Sequence, residues 1–239
     1  MIGIVAIAAL GWVQLSLPAM SLEFPPSPNR GKPSNTAGGG TRGGPESENQ
    51  VCTTGDIPLT ALVPPEDEKV TTISANPEFF TYVPQTTAKQ AQFLVVDEAG
   101  DAVYESTFDL PGEAGIVTVG LPERVNLEVD QSYTWQFIVL CNPNAPEDVE
   151  FVQGEITRTT LSQELRTQLN LAQAPLEKAE LLAKERVWFD TLMMMAQLRE
   201  SNQTEWEQLL KSVDLEKLTT APLTSCCTTE EKSEEKPTP

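Results

Sequence analysis

The sequence contains no histidine in its 239 residues. This absence excludes the Ser–His–Asp and Cys–His catalytic arrangements and every metal site with an imidazole ligand. Acid–base chemistry would have to come from carboxylates, lysine, tyrosine or cysteine. A pair of carboxylates, as in glycoside hydrolases, is an unspecific signal in a chain with 35 Asp and Glu residues. We therefore predict no enzymatic activity and no cofactor.

Basic residues are scarce. The chain has 16 Lys and Arg against 35 Asp and Glu, for a net charge of −19. Residues 51–160 hold 18 acids and four bases, so this block alone carries −14. Such a surface repels phosphate backbones and anionic lipids, which argues against nucleic acid and lipid headgroups as partners. It suits a solvated surface, a basic protein partner or divalent cations.

One long hydrophobic run opens the chain, over residues 2–17, and Ala19-Met20-Ser21 follows it in the small-x-small pattern of a signal peptidase site. The run is shorter than the about 20 residues that cross a bilayer. We predict a signal peptide over residues 1–21 and export to the periplasm, cell envelope or medium. Membrane contact would come only through this segment, if it stayed uncleaved. No Lys or Arg precedes the run, an atypical feature.

Cysteine is limited to Cys52, Cys141, Cys226 and Cys227. An even number of cysteines in an exported chain is compatible with disulfides. Cys52 and Cys141 flank most of the predicted β region, so a bridge between them would tie its edge to a late strand. The adjacent pair, Cys226 and Cys227, would be two spare thiols, would pair elsewhere, or would bind metal weakly without histidine.

Composition and periodicity divide the rest of the chain. Residues 22–50, rich in Pro, Gly, Ser and Asn, predict a disordered linker. Residues 51–159 predict a β-sandwich domain, residues 160–220 a helical segment, and residues 221–239 a disordered acidic tail. The fold class is therefore mainly β with a C-terminal α segment, an immunoglobulin-like β-sandwich followed by two or three short helices.

The β region shows short strands between turn signals, with seven in about 100 residues, as in a two-sheet sandwich. The strongest spans Leu127–Cys141, where Tyr133, Trp135, Phe137 and Val139 share one face by period-two geometry. Tyr133 suggests a tyrosine corner, in which the phenol bonds to the backbone of a nearby turn. The other predicted strands are Ile57–Pro64, Glu78–Pro84, Gln92–Val96, Ala102–Phe108, Ile116–Leu121 and Val149–Arg158.

The helical segment begins at a capping box of Thr160 and Gln163, and a second box, Thr204 with Glu207, opens its last helix. Between them, Pro175 starts a helix that runs to about Glu200. Its apolar face is wider than one stripe, which indicates either packing on two sides or a surface for a partner. The candidate partner-surface residues are Trp188, Phe189, Met193, Met194, Met195 and Trp206.

Three acidic clusters lie in or beside predicted loops, and each is read first as a solvated turn. They are Glu66-Asp67-Glu68, then Asp97-Glu98 with Asp101, and Glu147-Asp148 with Glu150. If two of these loops met at one end of the sandwich, their oxygens would suit a small ligand or a cation such as calcium.

Several motifs make the sequence similar to a bacterial family of exported proteins, domain of unknown function 928. They are Gly40-Thr41-Arg42-Gly43-Gly44, Leu59-Thr60-Ala61-Leu62-Val63-Pro64, Pro77-x-Phe79 with Tyr82-Val83-Pro84, Gly115-Ile116-Val117, Tyr133-x-Trp135-x-Phe137-x-Val139-x-Cys141, Trp188-Phe189-Asp190-Thr191-Leu192, Leu198-Arg199 and Trp206. The resemblance covers roughly residues 38–227. It implies the same β-then-helix order and no assigned activity.

Export, the missing catalytic motifs and the wide apolar helix face together predict a cell-envelope protein-interaction module. Its partner is expected to be a protein or a second copy of the chain. The alternative is a domain that binds a small ligand or cation at the acidic loops.

The position of the cysteines generates a first prediction. Digestion of the oxidised protein should yield one peptide in which Cys52 is linked to Cys141, identified by mass spectrometry and lost on reduction. Recovery of both residues as alkylated thiols from a native extract would contradict the bridge.

Overall fold

The computed structural model describes residues 22–26, 52–64, 70–145 and 147–224. Several predictions lie outside these residues. They are the signal peptide over 1–21, the linker from residue 27 onward, the cluster Glu66-Asp67-Glu68, the pair Cys226 and Cys227, and the tail from residue 225.

Eleven strands form among the described residues. They are β1 (Thr53–Thr54), β2 (Thr60–Ala61), β3 (Thr71–Thr72), β4 (Glu78–Val83), β5 (Gln85–Thr86), β6 (Gln90–Val96), β7 (Ala102–Asp109), β8 (Gly115–Gly120), β9 (Ser132–Leu140), β10 (Val149–Arg158) and β11 (Leu223–Thr224). Five of them, β1, β2, β3, β5 and β11, are two residues long and too short to show a period. The longer ones match the predicted strands in position, although β9 begins at Ser132, after a turn in which Asp130 has φ 62°.

Two sheets make a sandwich-like arrangement, which confirms the predicted mainly β fold class. One sheet has five strands in the order β3-β10-β9-β6-β7, and the other has four in the order β11-β8-β4-β2. Neighbours are antiparallel except in the pairs β3–β10 and β8–β11, which are parallel. Strands β1 and β5 form a separate antiparallel pair.

The core between the sheets is built on β9. Its alternating residues Tyr133, Trp135, Phe137 and Val139 are all buried, with Trp135 at 0% exposure. The ring of Trp135 lies 5.3 Å from Phe79 of β4 and so joins the two sheets. The backbone N–H of Glu128 donates to the Tyr133 hydroxyl at 2.9 Å, which confirms the predicted tyrosine corner.

A disulfide joins Cys52 to Cys141, as predicted, with a Cα–Cα distance of 5.4 Å and a sequence separation of 89. The Glu150 carboxylate, on β10, accepts from the backbone N–H of Cys52 at 2.6 Å and of Thr53 at 2.9 Å. It also accepts from the Thr53 hydroxyl at 2.7 Å. The start of the sandwich is therefore fixed by one covalent bond and one clamped carboxylate. Closing a loop of this length stabilises a domain by about 4–5 kcal/mol in the chain-entropy model.

Four helices follow the sandwich: α1 (Gln163–Leu171), α2 (Pro175–Lys184), α3 (Trp188–Leu198) and α4 (Gln203–Lys211). A 3-10 turn over Glu216–Leu218 leads to β11. The predicted N-terminal caps of two helices, α1 and α4, are wrong. Ser162, not Thr160, caps α1, with its hydroxyl accepting from Leu165 N–H at 3.1 Å. Asn202 precedes α4 without a side-chain cap bond, so the box predicted at Thr204 does not form.

The single helix predicted from Pro175 to about Glu200 is wrong, because the chain breaks between α2 and α3. Arg186 adopts φ 61°, and the N–H groups of Arg186 and Val187 bond back to Ala183 and Leu182. This is the Schellman pattern, which ends a helix and usually places glycine at the left-handed residue. The apolar periodicity continues through the break, so the sequence pattern gave no sign of it.

The chain ends of the described region also differ from the prediction of disorder. Leu22 and Phe24, within the predicted linker, are buried at 1% and 3% exposure. Leu223 and Thr224, within the predicted tail, pair with Ile116 and Val117. In the described ranges, the helices are all too short or too polar to cross a membrane.

The tight contact between β9 and β10 generates a second prediction. A Cβ at Gly154 would lie 2.8 Å from Nε1 and 2.9 Å from Cε2 of the buried Trp135. Gly154→Ala should lower the free energy of unfolding by about 1–3 kcal/mol, measured by urea denaturation, because the indole has no room to shift. Gly120→Ala is the control, since the nearest atom there is 3.8 Å away. Equal stability of the two variants would show that the indole can repack.

Candidate functional site

The structure shows where the six predicted partner-surface residues lie. Trp188, Phe189, Met195 and Trp206 are 0–2% exposed and belong to the core. Met193 and Met194 are half-buried and pack against that core. Four of the six side chains are therefore unavailable to a partner in this structure. Their burial agrees with the alternative interpretation of the wide apolar face, in which the helix packs on two sides.

Two contacts explain the burial of Trp188. Its indole N–H donates to the Leu62 carbonyl at 2.8 Å, which anchors α3 to the segment after β2. The Phe24 ring meets the indole edge-on at 4.9 Å and closes its other side. Phe189, next in sequence, contacts Phe79 of β4 at 5.3 Å. The aromatic start of α3 is thus held between the sandwich and the N-terminal residues.

A small acidic pocket lies where α3 meets β3 and β4. Its volume is about 70 Å³, and its lining residues are Thr72, Ser74, Asn76, Pro77, Glu78, Phe189, Asp190 and Met193. Asp190 is 8% exposed. One of its carboxylate oxygens accepts from the Thr72 hydroxyl at 2.7 Å and from the Ile73 N–H at 3.0 Å.

Burial raises the pKa of Asp190 above its ordinary value, while the Thr72 and Ile73 hydrogen bonds oppose the rise. Burial also raises the pKa of Glu78. Two carboxyl groups with raised pKa in one pocket are a recognised mark of active sites. Organic ligands, however, need cavities of about 300–1,000 Å³. The arrangement is therefore suited to fixing α3 on the end of β3.

Of the three acidic clusters, the two that lie in the described residues do not meet. Val96, just before Asp97, pairs with Thr134 at the start of β9. Val149, just after Asp148, pairs with Leu140 at the end of β9. The two clusters therefore lie at opposite ends of the five-stranded sheet, about 20 Å apart at ~3.4 Å per residue. Asp97 Oδ1 accepts from the N–H groups of Ala99 and Asp101 at 2.9 Å each, an ordinary turn.

Within the part of the chain that the structure describes, one group has three close potential metal ligands: Cys52, Cys141 and Glu150. The two sulfurs are bonded to each other, so neither is a thiolate that would bind a metal. The Glu150 carboxylate already accepts three hydrogen bonds. The group therefore acts as a structural clamp.

A cluster of partly exposed apolar side chains lies on the outer face of the five-stranded sheet, opposite the core. Strand register brings Ile138 beside Phe151, and Leu140 beside Val149, with Leu94 on the next strand. All five side chains are half-buried, and none of them is among the described residues that pack against the buried core. We call these five residues, with the acids described next, the outer face.

Acidic side chains surround this apolar centre. Glu105 and Asp109 lie on the edge strand β7, Glu155 lies on β10, and Glu147 precedes β10; all four are exposed. Gln92 Nε2 donates to Glu105 at 2.7 Å, and Gln90 Nε2 donates to Asp109 at 3.3 Å. These bonds hold the carboxylates at the rim of the face.

Sequence reasoning missed the outer face, although a signal for it was present. The even positions of β9 include Ile138 and Leu140, which a fully solvated face would not require. The strand pairing decides that they meet Phe151 and Val149, and this register is not readable from one strand alone.

A model of the family described as Domain of Unknown Function (DUF928) matches residues 37–223. No curated protein matches the chain. Among solved structures, the solution structure of the fn3 domain of human collagen alpha-1(XX) chain is similar at 14% identity and a TM-score of 0.25, covering 38% of this chain and 76% of that one.

The buried carboxyl of Asp190 generates a third prediction. A raised pKa means that the folded chain keeps its proton to a higher pH than the unfolded chain. Its contribution to stability is therefore present in mild acid and is lost as the pH rises through the raised value. Asp190→Asn, which keeps an acceptor and removes the charge, should make unfolding less dependent on pH as the pH rises above the ordinary range of an aspartate carboxyl.

Asp190→Ala should instead cost about 1–3 kcal/mol, because the Thr72 hydroxyl and Ile73 N–H lose their acceptor. Chemical denaturation over this pH range measures both effects. Glu164→Gln, at an exposed acid in the first turn of α1, is the matched control and should leave the pH dependence close to wild type. Equal profiles for Asp190→Asn and wild type would refute the role of this carboxyl.

Proposed function

The chain belongs to the DUF928 family, and from this premise we propose that it is an exported, non-catalytic module that binds a basic protein partner through the outer face. The observation that carries the proposal is the apolar patch of Leu94, Ile138, Leu140, Val149 and Phe151 inside an acidic rim. The family description assigns no activity.

Export is supported by two independent features. Residues 1–21 have the composition of a signal peptide with a small-x-small cleavage site. The Cys52–Cys141 bridge fits an oxidising compartment, because disulfides are rare in proteins of the cytosol. We propose the periplasm or the cell envelope as the place of action, where a partner would also be an exported protein.

The size of the outer face suits the centre of a protein interface. Four strands at ~4.8 Å spacing and about seven residues of ~3.4 Å each present roughly 400–500 Å². A standard interface buries about 800 Å² on each partner. The apolar patch would therefore form the desolvated centre, and contacts to Glu105, Asp109 and Glu155 would supply the rim.

Charge decides what kind of partner fits. The block of residues 51–160 carries −14, and the exposed rim acids lie within it. A second copy of the same face would bring like charges together and would be repelled. A partner with an apolar centre and flanking Lys or Arg would be attracted, and its association rate would fall as salt rises. We therefore propose a heterologous basic partner in preference to self-association.

The helices have a supporting role in this proposal. Most of their large aromatic and sulfur side chains are buried against the sandwich or under Leu22 and Phe24. Half-buried Met193 and Met194 stay candidate partner contacts, as predicted from the sequence. They form a small patch, and we assign the main contact to the sheet.

The fourth prediction compares two variants of the full chain with wild type. Ile138→Glu with Phe151→Glu should weaken capture of the same envelope protein at least tenfold, since charges replace the apolar centre. Leu171→Glu with Val129→Glu is the matched control, because it also adds two acids at exposed apolar positions and should leave capture unchanged. Affinity capture from an envelope extract at two salt concentrations, followed by titration with the purified partner, gives the measurement.

Three results would contradict the proposal. The two double variants could lose the partner equally, or neither could lose it. Alternatively, sedimentation could show that wild type is a dimer which Ile138→Glu with Phe151→Glu dissociates, and the face would then join two copies. Near-ultraviolet circular dichroism and the unfolding midpoint establish that each variant is folded.

A further inference from the structure

Residues Leu22–Pro26, which we call the strap, belong to no helix or strand and lie against α4 and the turn between α2 and α3. The side chains alternate, as in a strand. Leu22 and Phe24 point inward and are 1% and 3% exposed, whereas Glu23 between them is exposed. The spacing leaves one apolar anchor at every second residue, a common way for a groove to read an extended peptide.

Helix α4 satisfies the backbone of the strap. The N–H of Leu22 donates to Gln208 Oε1 at 3.1 Å, and the N–H of Phe24 donates to Ser212 Oγ at 2.9 Å. Gln208 lies in α4, and Ser212 directly follows the helix with helical backbone angles, so the two residues, four apart, lie on the same side. Ser212 Oγ in turn donates to the Leu209 carbonyl at 2.7 Å, which orients its lone pairs toward the strap.

The turn between α2 and α3 holds the other end. The Arg186 guanidinium donates to the Pro25 carbonyl, and it lies over the Phe24 ring at 5.2 Å from the centroid. This is the residue in the left-handed conformation, φ 61°, that ends α2. A non-glycine residue at such a position is strained, and contacts that only a long cationic side chain makes offset the strain.

We propose that Arg186, Trp188, Gln208 and Ser212 form a peptide-binding site, the strap groove, which recognises an extended Leu-x-Phe-Pro segment and is filled by the chain's own residues 22–26. The site takes a peptide through two apolar anchors, two backbone N–H groups and one carbonyl. It is separate from the outer face, and its test does not depend on that proposal.

The sequence places the strap far from its groove along the chain. Residues 27–51 separate it from Cys52, and its partners on α4 lie 186 and 188 residues away. A tethered segment acts at an effective concentration in the millimolar range. An external peptide would therefore enter the groove only when the contacts between the strap and the groove are weakened. Leu22 also directly follows the predicted cleavage site, so that the strap would be the N-terminus of the exported chain.

A peptide titration tests the site, and it is the fifth prediction. The full-chain variant Leu22→Ser with Phe24→Ser should bind a fluorescent Leu-Glu-Phe-Pro-Pro-Ser peptide saturably in an anisotropy assay. Wild type should bind it at least tenfold more weakly, because its groove is occupied. A peptide with serine in place of phenylalanine should not bind, and adding Ser212→Ala to the variant should weaken binding several-fold. No binding by the folded variant, or equal binding by wild type and variant, would overturn the proposal.

A second measurement covers a variant that fails to fold. A protease site is engineered between residues 35 and 40 of the otherwise wild-type chain and is cut after folding. The freed N-terminal segment should stay bound through gel filtration and should exchange with added labelled peptide. Immediate loss of the segment, or a segment that never exchanges, would show that the strap is not a separable ligand.

Discussion

The alternation of side chains along β9 is the constraint on which the rest of the structure depends. Period-two geometry sends Tyr133, Trp135 and Phe137 into the space between the sheets and sends Gln136 and Ile138 to the opposite side. The inward set joins the two sheets where Trp135 contacts Phe79 of β4, and Trp135 also contacts Phe93 of the neighbouring strand β6 in its own sheet. The inward side also requires glycine at position 154, because the Trp135 indole occupies the space of a side chain there.

The helical segment completes a core that the sandwich leaves open at one edge. Trp188 and Phe189 enter from the start of α3, and Asp190 of the same turn fixes the helix to Thr72 and Ile73. These three consecutive residues perform different tasks, namely anchoring to a loop carbonyl, packing on a sheet and capping a strand end. Phe24 then covers the indole from outside. The helices are thus one layer between the sandwich and the strap.

The carboxylates of this protein fall into two groups, those that are buried or clamped and those that are exposed. Carboxylates that are buried or clamped, Asp190 and Glu150, accept hydrogen bonds from backbone and hydroxyl groups and fix neighbouring elements. Carboxylates that are exposed on the five-stranded sheet surround an apolar patch, the contact that we propose for a partner. Because a buried charge needs partners whereas an exposed one needs none, the same residue type is structural inside the molecule and suited to recognition outside it.

The sequence by itself determined the mainly β class, the odd-position face of β9, the tyrosine corner and the Cys52–Cys141 pairing. These features follow from the two-residue alternation of side chains along a strand and from where the cysteines stand relative to the strands. Both can be read from one sequence. The tertiary structure alone decided the break at Arg186, the burial of Trp188 and Trp206, the separation of the Asp97 and Asp148 loops and the meeting of Ile138 with Phe151. Each of these depends on strand register or on a partner distant in the chain, such as Phe24 for Trp188. A local sequence pattern indicates which residues are apolar, whereas the packing of the whole chain decides which other residues bury them.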